Sequence, residues 1–318
     1  MSKADMSILS ILLKRGLVSG ESLAMELGVT RAYVHKVVDR LRKWGIPVTA
    51  VPSLGYYVPL EDDLSKTGEL LVTTGVKALI IYLEKCVKSS QDIARDIATS
   101  EAESWTTIVC EEMALGRGRL GRVWYAPKGS LAFTIIIRPG FSGPLHLLSL
   151  AASISVAEAL TTLLGLNARL KWPNDVLVNE KKVCGILVEG EAEADRVKIL
   201  YLGIGINANN ETPAEIKETA TSLREIVGAK VPRATILAVV LSRLKKYYEY
   251  LSTENSRKII DSWIKFSATI GKIVRVVTID GREIIGRAIT IDKHGRLVVE
   301  ISGTRYHIEA GDVYHVRT

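Results

Sequence analysis

Residues 116–124 read Gly-Arg-Gly-Arg-Leu-Gly-Arg-Val-Trp, so Gly116, Gly118 and Gly121 alternate with Arg117, Arg119 and Arg122. Glycines let a backbone come close to a ligand and aim N–H groups at it. Three guanidinium groups this close repel one another unless an anion lies among them, and their forks match carboxylates and phosphates. The chemistry expected is the holding of a polyanionic or carboxylate-phosphate ligand. The run also fits G-x-G-x-x-G, but a dinucleotide fingerprint opens a helix, whereas Pro127, Gly129 and a strand over 130–138 follow here. The kinase glycine pattern fits as well, yet no V-A-I-K, H-R-D or D-F-G follows.

Three further motifs carry polar chemistry. Lys171-Trp172-Pro173-Asn174-Asp175 gathers a base, an amide and an acid on a proline-fixed turn. Asp175 suits a phosphate-bound Mg²⁺, which takes oxygen ligands; a polar turn with an ordinary ion pair is the alternative. In Lys181-Lys182-Val183-Cys184-Gly185-Ile186-Leu187 a lysine leads into an apolar strand, and in Gly203-Ile204-Gly205-Ile206-Asn207 alternate glycines share one strand face. Glycine in mid-strand marks the close approach of a ligand or of another backbone. A flat apolar molecule could lie against that face.

Hydropathy patterning places these motifs on strands and turns of a mixed α and β region. Strands are expected at 80–87, 106–111, 130–138, 169–171, 176–178, 183–190 and 197–206, and helices at 91–98, 145–164, 234–251 and 256–266. Strands come in runs rather than in strict alternation with helices, which favours α+β over a doubly wound sheet. From residue 271 onward, short β-rich runs separated by Asp280-Gly281, His294-Gly295 and Ser302-Gly303 predict a small β-barrel packed on the middle region.

The first 60 residues hold +4 of the net charge of +7. They read as helices at 6–14, 21–27 and 30–43 and a hairpin over 48–58, the order of a winged helix-turn-helix. Val34, Val37, Val38 and Leu41 form the apolar stripe of the third helix, while Arg31, Ala32, His35 and Lys36 occupy another face suited to a DNA major groove. A solvated basic face on a protein-docking module is the alternative. Glu61-Asp62-Asp63 reads as a linker, which gives domains at 1–63, 64–268 and 269–318.

Several classes are excluded. At 47% hydrophobic and 24% charged, the composition is that of a globular protein. No apolar run reaches the roughly 18 residues of a membrane span, so no membrane partner is expected. Lys14 and Arg15 break the Ile8–Leu13 run, with no signal cleavage site after it. The chain is expected to be cytoplasmic. Its three cysteines form no C-x-x-C pair and an odd count, so all three are expected as buried thiols. The five scattered histidines lack zinc-site spacing.

Taken together, G-R-G-R-x-G-R-x-W, K-W-P-N-D, K-x-x-G-I-L and G-x-G-I-N, in this order, resemble the biotin protein ligases. Ala220-Thr221-Ser222-Leu223 is similar to the stretch after that family's adenylate-covering loop. With Ser19-Gly20-Glu21 through Gly55-Tyr56, the resemblance covers nearly the whole chain and extends to the class in which the ligase also represses the biotin operon. It implies a biotin/lipoate ligase-like central sheet and an SH3-like C-terminal barrel. Its substrates are biotin and ATP with Mg²⁺, and its partners a lysine of biotin carboxyl carrier protein, operator DNA and a second copy in a homodimer. No covalent enzyme intermediate is implied, so catalysis rests on positioning and charge stabilisation.

By resemblance, Arg117 and Arg119 hold carboxylate and α-phosphate, Arg122 assists with phosphate, and Lys182 neutralises the reacting oxygens. Gly116 approaches the ureido ring, and Trp124, Leu187, Gly203 and Gly205 wall the biotin pocket. Lys171, Asn174, Asp175 and Asn207 serve the nucleotide, with Asp175 on the metal. Two departures stand out. Met113 replaces the family's usual glutamine, and a thioether is a poor hydrogen-bonding group. Ser89-Ser90-Gln91 replaces S-T-N; Ser90 has the alternative role of capping the following helix. A DNA-binding sensor without transfer activity finds support in Met113 alone. The motif set and the barrel oppose a lipoate ligase or octanoyltransferase.

Overall fold

The computed structural model describes residues 1–98, 102–140, 145–193, 196–253 and 255–316. Helices α1 (Lys3–Arg15), α2 (Gly20–Leu27) and α3 (Arg31–Lys43) precede a hairpin of β1 (Thr49–Val51) and β2 (Gly55–Tyr57). Ser2, Ser19 and Thr30 cap the helices by accepting backbone N–H groups, and Gly28 ends α2 at φ 64°. Val34, Val37, Val38 and Leu41 are buried with Ile8, Leu9, Leu12 and Leu23. The winged helix-turn-helix therefore forms as its periodicity predicts.

The acidic stretch after it is no loose tether. Asp62 Oδ1 accepts from Arg233 Nε at 2.5 Å and from Asn209 Nδ2 at 3.0 Å. Arg233 also donates to Glu111 Oε1 at 2.8 Å. Thr235 Oγ1 accepts from Glu61 N and donates to Pro59 O. Two acids far apart in sequence, Asp62 and Glu111, converge on one buried arginine, which sequence spacing does not reveal.

The middle region adds α4 (Thr67–Thr74), β3 (Ile80–Cys86), α5 (Ser90–Ala98), β4 (Thr107–Arg117), β5 (Val123–Ala126), β6 (Leu131–Ile137), α6 (Leu145–Leu164), β7 (Arg169–Lys171), β8 (Asp175–Val178), β9 (Lys181–Glu193) and β10 (Arg196–Ile206). Three helices follow: α7 (Leu223–Val227), α8 (Arg233–Ser252) and α9 (Arg257–Phe266). The sheet order is β3-β4-β6-β10-β9-β8-β7, with β5 on β4. Its β3–β4 pair is parallel and its other pairs are antiparallel. Strands β11 (Ile273–Thr278), β12 (Glu283–Ile291), β13 (Leu297–Ile301), β14 (Thr304–Ile308) and β15 (Gly311–His315) form a second, antiparallel sheet in the order β14-β13-β12-β11-β15.

One expectation is refined and one is overturned. Helix α6 does have the length and apolarity of a membrane span, with a mean hydropathy of 1.7. It is a core helix here, 72% of that window being buried. Its Ser153 and Ser155 hide their hydroxyls on Leu150 O and Ala151 O, so serines that interrupt the apolar run leave the helix fully buriable. Second, Cys86 and Cys110 form a disulfide between β3 and β4. The odd cysteine count concealed a pair that strand pairing brings together. Cys184 remains a buried thiol, and burial pushes its pKa well up.

Candidate active site

The glycine-arginine run straddles a strand end. Gly116 and Arg117 close β4, and the chain turns at Gly118–Arg122, where Gly118 N donates to Arg122 O at 2.7 Å. Leu120 and Gly121 take positive φ in this turn, and β5 returns with Gly116 opposite Trp124. A Cβ on Gly116 would lie 2.2 Å from Trp124 O. That glycine is demanded by the chain's own hairpin, and it is the one expected ligand residue that does not line the cleft.

The cleft, of about 1680 Å³, runs between the central sheet and the C-terminal domain. Ser89, Ser90, Gln91, Met113, Arg117, Arg119, Arg122, Trp124, Lys171, Asn174, Asp175, Lys182, Leu187, Gly203, Gly205 and Asn207 all line it. Its two ends differ in chemistry.

At the apolar end, Trp124 lies flat on the sheet. A Cβ on Gly205 would sit 2.3 Å from its Nε1, and one on Gly185 would sit 3.0 Å from its Cζ3. Gln91 covers Gly203 in the same way, at 3.0 Å, while its Nε2 donates to Leu187 O and Tyr201 O. The alternate glycines thus admit two of the chain's own side chains, which form one wall of the cleft. Met113 Sδ accepts from Ser90 N at 3.2 Å. Ser90 Oγ lies 2.8 Å from Thr134 Oγ1, and it is Ser89 Oγ that caps α5 by accepting from Asp92 N.

At the cationic end the arginines already have acidic neighbours. Arg117 pairs with Asp92 at 3.0 Å and with Glu189 at 2.9 Å; Arg122 pairs with Asp312 at 2.9 Å. Arg119 donates to Asn174 Oδ1 at 3.2 Å and to Gly311 O at 3.4 Å. Burial lowers the Arg119 pKa, and Asp312 and Asp175 oppose that shift. The mutual repulsion inferred from sequence is therefore relieved partly within the chain.

Lys182 Nζ pairs with Asp175 Oδ1 at 2.6 Å and stands 5.5 Å over the Trp124 ring. Its backbone donates to Thr219 O and accepts from Thr221 N, so the segment before Ala220-Thr221-Ser222-Leu223 runs beside it. Asn174 Nδ2 donates to Ile186 O at 2.7 Å, and Asn207 Nδ2 to Thr221 O at 3.3 Å. Lys171 is held below the usual lysine pKa chiefly by burial, against the attraction of Asp175.

The C-terminal domain supplies residues that sequence reasoning missed: Lys272, Arg287, Asp312, Tyr314 and His315 line the same cleft. Burial, with Lys272 and Lys171 nearby, pushes the His315 pKa down to about 4. Trp172 anchors the domain, donating from Nε1 to Gly295 O at 3.0 Å and from its backbone to Thr269 Oγ1. Turn spacing predicts the second sheet but not which of its ends faces the first. Arg31, Ala32, His35 and Lys36 are exposed on α3 and do not line the cleft.

The profile of the biotin/lipoate A/B protein ligase family matches residues 83–207, an HTH domain profile residues 6–57, and the biotin protein ligase C terminal domain profile residues 269–316. The chain is similar to the bifunctional ligase/repressor BirA of Bacillus subtilis, at 33% identity over 93% of each chain. It is 30% identical to the Escherichia coli protein of the same name, over 90% of this chain and 88% of that one. Among solved structures, the biotin protein ligase of Aquifex aeolicus in complex with biotin and ATP superposes with a TM-score of 0.67 at 30% identity, covering 76% of this chain and 99% of that one. The chain belongs to the biotin protein ligase family, with the bifunctional ligase/repressors as its full-length relatives.

Proposed function

We propose that this chain is an ATP-dependent biotin protein ligase that also acts on DNA. Biotin carboxylate attacks the α-phosphate of ATP, giving biotinyl-5′-adenylate and pyrophosphate. A carrier lysine then attacks the mixed anhydride, taking the biotinyl group and releasing AMP. The single observation that carries this reading is one cleft with an apolar wall of Trp124, Leu187 and the Gly203–Gly205 face at one end and Arg119, Arg122, Lys171 and Lys182 at the other. An apolar ring system bearing a carboxylate, joined to a polyphosphate, spans both.

In this reading the bicyclic ring lies against Trp124 and beside Ser89, Ser90, Gln91 and Met113. Arg117 and Arg119 orient carboxylate and α-phosphate, and Arg122 takes further phosphate charge. Lys182 sits between the two ends and offsets the negative charge that builds on the reacting oxygens. Lys171, Asn174 and Asn207 hold the nucleotide. Gly116 acts by letting β5 close on β4.

Mg²⁺ fits the donor set. Asp175 Oδ1 is buried with no hydrogen-bond donor in line, its ion pair being with Lys182. Among the described residues no group of three metal-binding side chains exists, so the ion would rest on Asp175 and substrate phosphates. It would supply charge neutralisation on the leaving pyrophosphate.

We further read the chain as three domains, 1–63, 64–268 and 269–318, working in the cytoplasm. The exposed Arg31, Ala32, His35 and Lys36 face is its DNA contact, and a homodimer binding a two-fold site is the repressing form. Adenylate raises operator affinity only if it favours that form. Operator affinity that is identical with and without adenylate, at fixed salt, would remove the coupling.

The test of the ligase is the intact mass of a biotin carrier domain after incubation with this protein, biotin and Mg-ATP. A biotinyl-sized gain that requires ATP supports the reading. Adenylate without transfer would point to a sensor, and neither product would mean another ligand.

A further inference from the structure

The Cys86–Cys110 disulfide has no part in the chemistry above, yet it shares a core with Met113 and Ala132, which line the cleft. Both cysteines are 1% exposed and belong to a small core separate from the main one, in which Ala94, Ala98, Ala126, Ala132 and Met113 pack with Ile108, Ile136, Ile199 and Tyr201. The main core is built on α6, α8 and the other sheet face.

The bond closes a loop with a sequence separation of 24 that contains Ser89, Ser90 and Gln91. It joins β3, four residues before Ser90, to β4, three residues before Met113. Its two ends therefore flank the contact in which Ser90 N donates to Met113 Sδ. Thioether sulfur is a weak acceptor, so this contact alone is a poor clamp. Ser90 and Gln91 have further ties to Thr134, Leu187 O and Tyr201 O, all on the opposite side, toward β6, β9 and β10. On the β3–β4 side, the covalent bond adds to the parallel ladder in which Cys86 lies opposite Met113 and to the Asp92–Arg117 ion pair.

We propose that the Cys86–Cys110 disulfide is a positioning device for the biotin end of the cleft, fixing Ser89–Gln91 and Met113 at ligand-binding distance while leaving the nucleotide end to other restraints. The nucleotide residues Lys171, Asp175 and Lys182 stand on β7, β8 and β9 and Asn174 on the turn between β7 and β8, none of which the bond touches. Reduction by a dithiol adds two electrons and two protons, leaves two thiols, and oxidises the reagent to its disulfide. Burial at 1% shields both sulfurs, because an attacking thiolate must reach one of them directly. The inference rests on biotin as the ligand of the apolar end.

The first measurement is thiol counting by alkylation of the denatured, unreduced protein. One reactive cysteine, Cys184, is the expected result; three would overturn the proposal. The second compares wild type with Cys86→Ala/Cys110→Ala. Biotin KM should rise about five-fold or more, with ATP KM and kcat within about two-fold. An unchanged biotin KM, or an equal rise for ATP, would overturn the proposal. Should the double variant fail to fold, the same comparison is made on wild type before and after warming with a phosphine reductant. Calorimetric biotin binding separates the two readings. Wild type that binds no biotin overturns both, whereas wild type that transfers biotin beside an equally competent variant overturns only the role of the bond.

Discussion

The two small domains are both locked to the central sheet, but only one of them enters the cleft. The C-terminal domain reaches in through Gly311, Asp312, Tyr314 and His315, and Arg119 and Arg122 of the glycine-arginine turn bond to it directly. The winged helix stays outside. Its ties are Trp44, whose ring lies 3.5 Å from the Arg243 guanidinium, Gly45 against Ser242, and the Asp62–Arg233–Glu111 ion pairs. The last of these ends on β4, five residues before the glycine-arginine run begins. One domain can act on catalysis by contact; the other can be affected by it through α8, β4 and Asn209, which donates to Asp62.

The largest effect expected lies between the two. Lys182→Ala should slow adenylate formation by about 10² to 10³, read by the carrier mass assay. DNA binding without ligand should be unchanged, and a parallel loss there would break the contrast.

Arg233→Met comes next. It leaves Glu111, 12% exposed at its side chain, without its partner, so stability to urea should fall by about 3 kcal/mol. Kinetic constants should stay within about two-fold, since Arg233 does not line the cleft. The dependence of operator binding on ligand should weaken.

Asp312→Ala tests the opposite arm. Losing the partner of Arg122 should raise ATP KM by about ten-fold, with biotin KM and DNA binding unaltered. A change in biotin KM would mean that the two ends of the cleft are not separable. On the winged helix, Lys36→Ala should lower the salt slope of DNA binding by about 1 and leave the ligase untouched.

The smallest effect is a pH dependence of the seam. His315 in the folded protein stays neutral down to about pH 4, whereas the unfolded chain takes up that proton near 6.5. The folded state binds fewer protons in between, so stability is full above 6.5 and declines as pH falls toward 4. His315→Gln should flatten that part of the melting profile, and an unchanged slope would place the acid sensitivity elsewhere.

By itself, the sequence determined the winged helix, the strands of the two sheets and the motif residues that line the cleft, though none of those that the C-terminal domain supplies. Periodicity, capping and turn pairs are local, and the chemistry-bearing motifs are short and contiguous. Arg169–Lys171 forms a strand and Leu145–Leu164 a helix with the boundaries that patterning predicts. What escaped was decided between segments distant in sequence. Strand β5 became visible only through pairing with β4, and α4 only through packing on α8. The Cys86–Cys110 bond needed β3 beside β4, and the acid stretch over 61–63 needed Arg233 at the start of α8. Gly205 announced a close approach without saying that Trp124, and not the ligand itself, would make it. His315 and Asp312 carried no motif, because their role comes from the orientation of one sheet against another. Such orientation follows from how buried surfaces fit together, which is set by three-dimensional shape rather than by any spacing along the chain.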